Sequence, residues 1–571
     1  ATPDSVSSVA PDTGAAAPVP PMIRPGIYVV AETGAMDPAH YHLTGSLRTF
    51  NWSELHIGPS QFNWGVLDQY LETIAGYGKA AAIGISTYNG RCCGGISAMP
   101  AFIRSSAPNS VLDAGACTSA QYPLGGCING RWLLPRYWDT DYLNAYGEFI
   151  QALGNRYKND ARLEWVALGF GTFGENHAAQ GSDVDILVNA GLNVDLWIST
   201  MESVVDRYSA AFRTTGSLQK TLMVQIASVT FEDRERWQLA AYAAQRGIGL
   251  SFNGLTPDFN NAIQGVDRCN NTVECGMYDP IFYHNRSVPI AFETYDYMLC
   301  DTTNVYWGML SGLDKKVDLL RLNYDLFYDP VTHQDRTQNL AIFDWTSRYV
   351  GKTLANTPSV WVAMREHRTP TTYCYAQPET VSYYPQIGNY SYYLVQDDSV
   401  AGGRTVPETN DSNVTGLGCS GRWCLSGSPY FANPYNASVP TGKEGWVVRR
   451  TDQATGNPNM WFKVDDGYIN GGSNQVAITI WYADVGTDRW ALRYDSPSGE
   501  QAATPDGSGN PWVQKAGSNT WKTASFHINN ARLANGLTGG SDFRLDSLSD
   551  GDEWVHMVDV ARQGGTSPTS T

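Results

Sequence analysis

Eight short apolar runs of strand type alternate with helix-like segments between about residues 25 and 353. The first run is "GIYVV" at Gly26 and the last is "VDLLRLNYDLF" at Val317. Nearly continuous apolar strands are typical of parallel sheets that are buried on both faces. Intervening segments such as "WGVLDQYLETIAGYG" place apolar residues at helical spacing. The pattern predicts an α/β fold, a (β/α)8 or TIM barrel. The other six runs begin at Leu47, Lys79, Leu163, Thr221, Gly247 and Val288.

A doubly wound open sheet has the same alternation of strands and helices. That fold usually carries a glycine-rich phosphate loop after its first strand, and no such loop follows Val30. The barrel is therefore favoured, with the segment from Asn89 to Tyr137 as its largest insertion.

The character of the chain changes after the barrel. Runs such as "NMWFKVDDGYI" and "QVAITIWYADVG" alternate polar and apolar residues between turn signals, a pattern typical of a β-sandwich. We predict a barrel over 25–365 and a jelly-roll sandwich over 366–563, which either binds carbohydrate or only packs on the barrel. Residues 1–24 and 564–571 are Pro-, Ala-, Ser- or Gly-rich tails that cannot build a core. Docking of these tails into neighbouring copies would make the protein a homo-oligomer.

Composition excludes some functions. The net charge of −17 provides no basic surface for nucleic acid. No apolar stretch is long enough to span a bilayer. Aromatic residues make up 12% and charged residues 17% of the chain. This balance suits an extracellular protein that binds sugars, and a well-packed β-rich core would give the same balance.

The chain has ten cysteines, an even number, and several of them form close pairs in Gly-, Asn- and Ser-rich loops. The sequence lacks the two close CxxC-type pairs that a zinc site would need. Disulfides are therefore the favoured interpretation, and they imply an oxidising compartment. We expect a secreted or cell-surface glycoprotein without a cofactor. The acidic clusters 465–466 and 550–553 would hold a structural calcium or be solvated turns. The cysteines are Cys92, Cys93, Cys117, Cys127, Cys269, Cys275, Cys300, Cys374, Cys419 and Cys424, and sequons begin at Asn51, Asn285, Asn389 and Asn436.

Two glutamates stand at strand ends. Glu175 follows the fourth apolar run in "GFGTFGENH", and Glu293 ends the seventh in "IAFETYD". The carboxyl ends of barrel strands share one mouth, so both carboxyl groups should face the same pocket. A glycosidase needs such a pair: one carboxyl protonates the leaving oxygen and the other attacks the anomeric carbon.

These motifs carry a resemblance. The barrel resembles a clan A glycoside hydrolase, with the acid/base on strand four and the nucleophile on strand seven. "FNWSELHIGPSQFNWGVLDQYLETIAGYGKAAAIGI" is similar to the second-to-third strand segment of family 42 and related β-galactosidase-like barrels. The "GFGTFGENH" turn resembles the "G..GE.H" turn of β-galactosidase-like bacterial barrel proteins. The resemblance implies Glu175 as acid/base and Glu293 as nucleophile. The clan usually has Asn before the acid/base, where this chain has Gly174, so Asn176 or His177 would take over its contact with the substrate, or activity would be altered or absent.

The alternatives are structural roles. Glu175 could cap the following helix, and Glu293 could pair with Arg321 at the rim. Aromatic and amide side chains near strand ends would bind sugar rings and hydroxyl groups, or would only pack. We predict substrate contacts from Trp52, Tyr88, Asn176, His177, Asn253, Tyr295, Asn323 and Trp345.

The sequence therefore predicts a secreted, retaining glycoside hydrolase that cleaves an extracellular poly- or oligosaccharide. A proton donor must stay protonated near the working pH, so we expect a raised pKa for the Glu175 carboxyl. The rival interpretation is a catalytically silent barrel that serves as a surface or assembly protein and binds glycans or its own copies.

Overall fold

A closed barrel of eight parallel strands forms the first part of the protein. The computed structural model describes residues 23–30, 41–226, 229–255, 279–294, 302–329, 331–364, 389–397, 446 and 448–563. Each strand pairs with its neighbours in chain order, and the first strand closes the barrel against the eighth. The predicted barrel is confirmed. Its strands are β1 Gly26–Val30, β2 Gly45–Asn51, β3 Ala80–Ser86, β4 Leu163–Ala167, β5 Thr221–Gln225, β6 Gly249–Leu255, β7 Ile290–Thr294 and β8 Leu319–Asn323.

Helices surround the barrel. The two segments with the clearest helical spacing form α1 (Gly65–Gly76) and α2 (Thr140–Tyr157). The Asp139 carboxylate accepts hydrogen bonds from two backbone N–H groups in the first turn of α2, which satisfies donors that a helix start leaves unpaired. The remaining main helices are α3 Ser182–Asn189, α4 Val194–Ala211, α5 Arg234–Ala244, α6 Asp279–His284, α7 Thr302–Asp314 and α8 Thr337–Ser347.

Some of the predicted apolar runs are longer than the strands they form. The fourth run, "LEWVALGFG", leaves the sheet after Ala167. Beyond that residue the backbone turns on itself, because the N–H groups of Phe170 and Gly171 donate to the carbonyl oxygens of Gly174 and Glu175. The end of the run is therefore a rim loop and not a strand.

The large insertion after β3 is braced by cross-links. A three-stranded sheet of Val111–Ala116, Cys127–Ile128 and Arg131–Pro135 is tied by the Cys117–Cys127 disulfide. Cys92 and Cys93 are bonded to each other. The other six cysteines lie outside the described residues.

Two antiparallel sheets follow the barrel and confirm the predicted sandwich. They enclose a core that includes Ile478, Leu492 and Phe526. The first sheet contains β9 Ser359–Ala363, β10 Tyr390–Tyr392, β12 Arg449–Arg450, β14 Asn474–Ala483, β18 Trp521–Ala531 and β20 Trp554–Arg562. The second contains β11 Leu394–Gln396, β13 Asn459–Val464, β15 Arg489–Ser496, β16 Gly499–Ala502, β17 Val513–Gln514 and β19 Phe543–Asp546.

The sandwich takes strand β9 from the range that the sequence assigned to the barrel. β9 pairs along its length with β20, because its alternate apolar residues fit the sandwich core. The predicted boundary at 365/366 stays a prediction, since residues 365–388 lie outside the described part, as do both predicted tails apart from residues 23 and 24.

Barrel and sandwich share a packed interface. The hydroxyl of Tyr349 lies 2.9 Å from that of Ser359, and Tyr306 Oη lies 2.9 Å from His556 Nε2. One cluster of buried apolar side chains continues from the barrel into the sandwich, where it includes Trp361. Of the helices described, none is both long and apolar enough to cross a membrane.

Candidate active site

A cavity of about 620 Å³ opens at the carboxyl ends of the barrel strands. Glu175 and Glu293 both line it. Glu175 lies in the loop after β4, and Glu293 is the fourth residue of β7. Their side chains are 14% and 27% exposed, so a small molecule in the cavity can reach both. The two carboxyl groups that the sequence singled out therefore share one pocket.

The rim loop after β4 explains why "GFGTFGENH" needs its glycines. Gly174 has a φ of +83°, and a Cβ atom there would lie 2.6 Å from the carbonyl oxygen of Ile85 in β3. A Cβ at Gly171 would lie 2.1 Å from the carbonyl oxygen of His177. This loop packs backbone against backbone, and an asparagine at position 174 does not fit it. The departure from the clan motif is thus built into the path of the loop.

Glu175 is held from two sides. The side-chain amide of Asn253, on β6, donates a hydrogen bond to its Oε1. Nδ1 of His177 lies 3.1 Å from its Oε2, an approach that lacks the direction of a good hydrogen bond. The next helix begins only at Ser182. Glu175 therefore does not cap that helix, and its carboxyl group points into the cavity.

Glu293 is paired with the Arg321 guanidinium of β8 across 2.8 Å. Arg321 is buried, with 3% of the residue exposed. Its Nη2 also donates to Gln225 Oε1 at 2.5 Å and to Ser251 Oγ at 2.7 Å. The rim pairing considered from the sequence is therefore present. A buried cation beside a carboxylate stabilises its ionised form, so this pairing favours the charged form of Glu293.

A polar network on the other wall was missed by the sequence analysis. The amide nitrogen of Asn89 donates to Asn51 Oδ1 at 2.8 Å, and Ser86 Oγ donates to Asn89 Oδ1 at 2.5 Å. Arg48 lies 3.7 Å from Glu54. All five line the cavity. Arg48 lies within β2, but the other four stand at or just after the ends of β2 and β3. That placement was the available signal, because it is where a barrel places its site residues.

Two aromatic residues predicted to bind sugar lie elsewhere. Trp52 is 0% exposed, and its ring packs against Tyr146 at 4.9 Å in the layer beneath α2. Tyr88 is buried, with its hydroxyl 3.2 Å from a carboxylate oxygen of Asp183. The prediction of substrate contacts is wrong for both, because a one-turn helix at Trp52–Leu55 and the tight loop after β3 turn these rings inward.

Trp345 is a third correction. It belongs to α8 and packs against Trp361 of the sandwich at 5.6 Å, away from the barrel mouth. Asn176 is fully buried, and its backbone carbonyl accepts a hydrogen bond from the Trp197 indole. Asn323 ends β8 but is not among the described residues that line the cavity. Tyr295 lies outside the described residues.

The acidic cluster 550–553 is neutralised by protein cations. Asp550 pairs with Arg489 at 3.0 Å, and Glu553 pairs with Lys515 at 3.0 Å. In the described part of the chain, no group of three or more His, Cys, Asp or Glu side chains could hold a metal ion. The structural calcium considered from the sequence therefore has no support from this cluster.

No protein-family model and no curated protein sequence matches this chain. Solved structures similar to it include the β-amylase catalytic domain of Paenibacillus polymyxa, with 10% identity, coverage of 57% of this chain and 97% of that chain, and a TM-score of 0.38. Another is the full-length tri-modular endo-β-1,4-glucanase B of Bacillus halodurans, with 8% identity, coverage of 95% and 98%, and a TM-score of 0.36. A third is the β-galactosidase of the psychrophile Marinomonas ef1, with 11% identity, coverage of 56% and 58%, and a TM-score of 0.34.

These scores are low, so the class of the protein follows from its own geometry. The strand topology defines a (β/α)8 barrel joined to a β-sandwich. The cavity defines a site with three acidic side chains, Glu54, Glu175 and Glu293, of which Glu293 is paired with a buried arginine.

Proposed function

We propose that the protein is a retaining glycoside hydrolase. The observation that carries the proposal is the presence of Glu175 and Glu293 in one cavity, after the fourth strand and at the end of the seventh. The substrate class is an extracellular poly- or oligosaccharide, and the resemblance in the sequence favours β-galactosides. Two of the disulfides expected from the sequence are present in the described residues, which supports a secreted or cell-surface protein.

The surroundings of the two carboxyl groups suggest their roles. Arg321 keeps Glu293 ionised, as a nucleophile must be. In the first step Glu293 Oε attacks the anomeric carbon while Glu175 gives its proton to the glycosidic oxygen, and the C–O bond to the departing sugar breaks. In the second step Glu175 takes a proton from water, whose oxygen attacks the same carbon and releases Glu293. The hydrogen bond from the Asn253 amide positions the Glu175 carboxyl group.

Two substitutions test these roles on paired substrates, a 4-nitrophenyl β-glycoside and the β-linked disaccharide of the same sugar. Glu175→Gln should reduce kcat/KM for the disaccharide by about 100-fold or more, and much less for the aryl glycoside, whose leaving group needs no proton. Glu293→Gln should reduce hydrolysis of both by about 1,000-fold or more. NMR of the first product should show retention of the anomeric configuration.

Glu164→Gln is the matched control. Glu164 lies on the same strand as the Glu175 loop but at the opposite end, where it accepts a hydrogen bond from the backbone N–H of Arg24, so its loss should leave kcat/KM unchanged. Equal loss on both substrates in Glu175→Gln would contradict the acid role. A wild-type protein that hydrolyses no glycoside would favour the silent surface or assembly protein.

A further inference from the structure

A disulfide between adjacent cysteines lies on the rim of the candidate site. Cys92 and Cys93 are both exposed, and Cys93 lines the cavity. The loop that carries them is closed by backbone hydrogen bonds from Asn89 N–H to Gly95 O at 3.1 Å and from Gly95 N–H to Gly90 O at 2.9 Å. The disulfide is therefore presented to the cavity on a loop with a fixed shape.

The loop is also fastened from outside. Nε of Arg91 donates to both carboxylate oxygens of Asp183 at 3.0 Å, and the Asp183 side chain is 3% exposed. Because the Asp183 carboxylate is buried, leaving it without the charge of Arg91 would be costly. The residue next to the disulfide is thus anchored to the barrel, and the two sulfur atoms cannot swing away from the mouth without breaking that anchor.

Phe173 lies beside this loop. The residue is 37% exposed and lines the same cavity, and its backbone N–H donates to Tyr88 O at 2.7 Å. A Cβ added to Gly90 would lie 3.4 Å from the ring. Phe173 also has a φ of +59°, which is unusual for a bulky residue and points to a functional constraint. Among the described lining residues, it is the single aromatic one.

The position of this apolar pair relative to the two glutamates is set by the barrel. Phe173 is two residues from Glu175, and the disulfide loop follows β3, which lies next to β4 on the side away from β5, β6 and β7. The pair is therefore on the Glu175 side of the mouth, remote from Glu293. In a retaining mechanism the proton donor acts on the oxygen of the departing sugar.

We propose that the Cys92–Cys93 disulfide and Phe173 together form an apolar surface that binds the ring face of the departing sugar. The inference rests on the proposed function and adds a binding role to it. A sugar ring presents C–H groups on one face, and polarisable sulfur and aromatic carbon both make favourable contacts with such a surface. The hydroxyl groups at the ring edge would remain free to bind the polar side chains of Asn51, Ser86 and Asn89.

Two β-linked disaccharides, 1,4-galactobiose and cellobiose, and the β-fluorides of galactose and glucose test the proposal. Fluoride has no ring, so only the disaccharides use the surface. In the full-length Cys92→Ser/Cys93→Ser variant, kcat/KM for the hydrolysed disaccharide should fall roughly tenfold, equivalent to about 1.4 kcal/mol, mainly through KM. The value for the matching fluoride should stay within about twofold of wild type.

The matched control is Cys117→Ser/Cys127→Ser, which removes the other disulfide of the same insertion, away from the cavity lining. It should leave both substrates unaffected. Phe173→Ala is the second test variant and should reproduce the selective loss, so the proposal stays testable if the cysteine variant does not fold. Equal losses on disaccharide and fluoride, or no loss on either, would overturn the proposal.

Failure of the proposed function gives a different result. If the wild-type protein hydrolyses none of the four compounds, hydrolysis of β-galactosides and β-glucosides is rejected, and NMR titration with the two disaccharides decides the binding role. Weaker binding by the Cys92→Ser/Cys93→Ser variant than by wild type would keep the apolar surface as a sugar-binding site. Equal binding by the two proteins, or no binding by wild type, would reject it.

Discussion

Gly174→Ala is expected to destabilise the protein by about 2–5 kcal/mol. Gly174 has a φ of +83°, and a residue with a Cβ costs about 1–2 kcal/mol in that region. The new methyl group would also lie 2.6 Å from the carbonyl oxygen of Ile85. That oxygen belongs to β3, which pairs with β2 and β4, so it can move only by disturbing the barrel. Overpacking of this kind typically adds about 1–3 kcal/mol.

Gly78→Ala separates the two contributions. Gly78 also has a positive φ, +70°, but an added Cβ there would meet no atom within 4 Å. The control should therefore lose only the backbone contribution. Urea unfolding of both full-length variants, followed by tryptophan fluorescence, measures the difference in free energy of unfolding. A Gly174→Ala variant no less stable than the Gly78→Ala control would refute the argument that close backbone packing requires glycine at this position.

Three further changes test other parts of the structure. Arg321→Met removes the partner of Glu293 and should lower the free energy of unfolding by about 3–5 kcal/mol while reducing kcat/KM; a fully active, equally stable variant would contradict the pairing. Burial raises the pKa of the Asp542 carboxyl to about 6 from 3.8, so this group remains protonated in the folded state while it ionises in the unfolded state between those values. The wild type should therefore lose roughly 3 kcal/mol of stability from this group as the pH rises from about 4 to 6, and Asp542→Asn should flatten that slope in urea titrations; parallel slopes would count against it. Tyr306→Phe leaves His556 without this hydroxyl and should cost about 1–3 kcal/mol of stability, measured in the same way; an unchanged stability would show that the bond between the domains contributes nothing.

The sequence predicted the barrel well because its signals are local. Each strand is a short apolar run, and Glu175 and Glu293 could be placed at the mouth because parallel strands end on one side. Which way a side chain turns after a strand ends depends on the next few backbone angles. Trp52 was therefore assigned to the mouth, although it points into the layer between barrel and helix α2.

The polar network around Asn89 and the interface between barrel and sandwich were harder to predict for another reason. The bond between Asn51 and Asn89 joins loops after two different strands, and no local pattern records such a contact. Trp345 was assigned to the mouth because the sequence did not show that α8 faces a second domain. Only the packing against Trp361 reveals this.

The continuous apolar cluster beneath the sandwich has a consequence for how the two domains work together. Tyr306, Tyr349 and Trp361 belong to that one cluster, and Trp446 stacks on His556 at 4.2 Å within the same interface. Because this interface is closely packed, the sandwich is held in one position relative to the barrel and does not move independently of it. A glycan bound on the sandwich surface would therefore lie at a fixed distance from the barrel mouth. A sandwich taken from another protein would need equivalent aromatic side chains to form this interface.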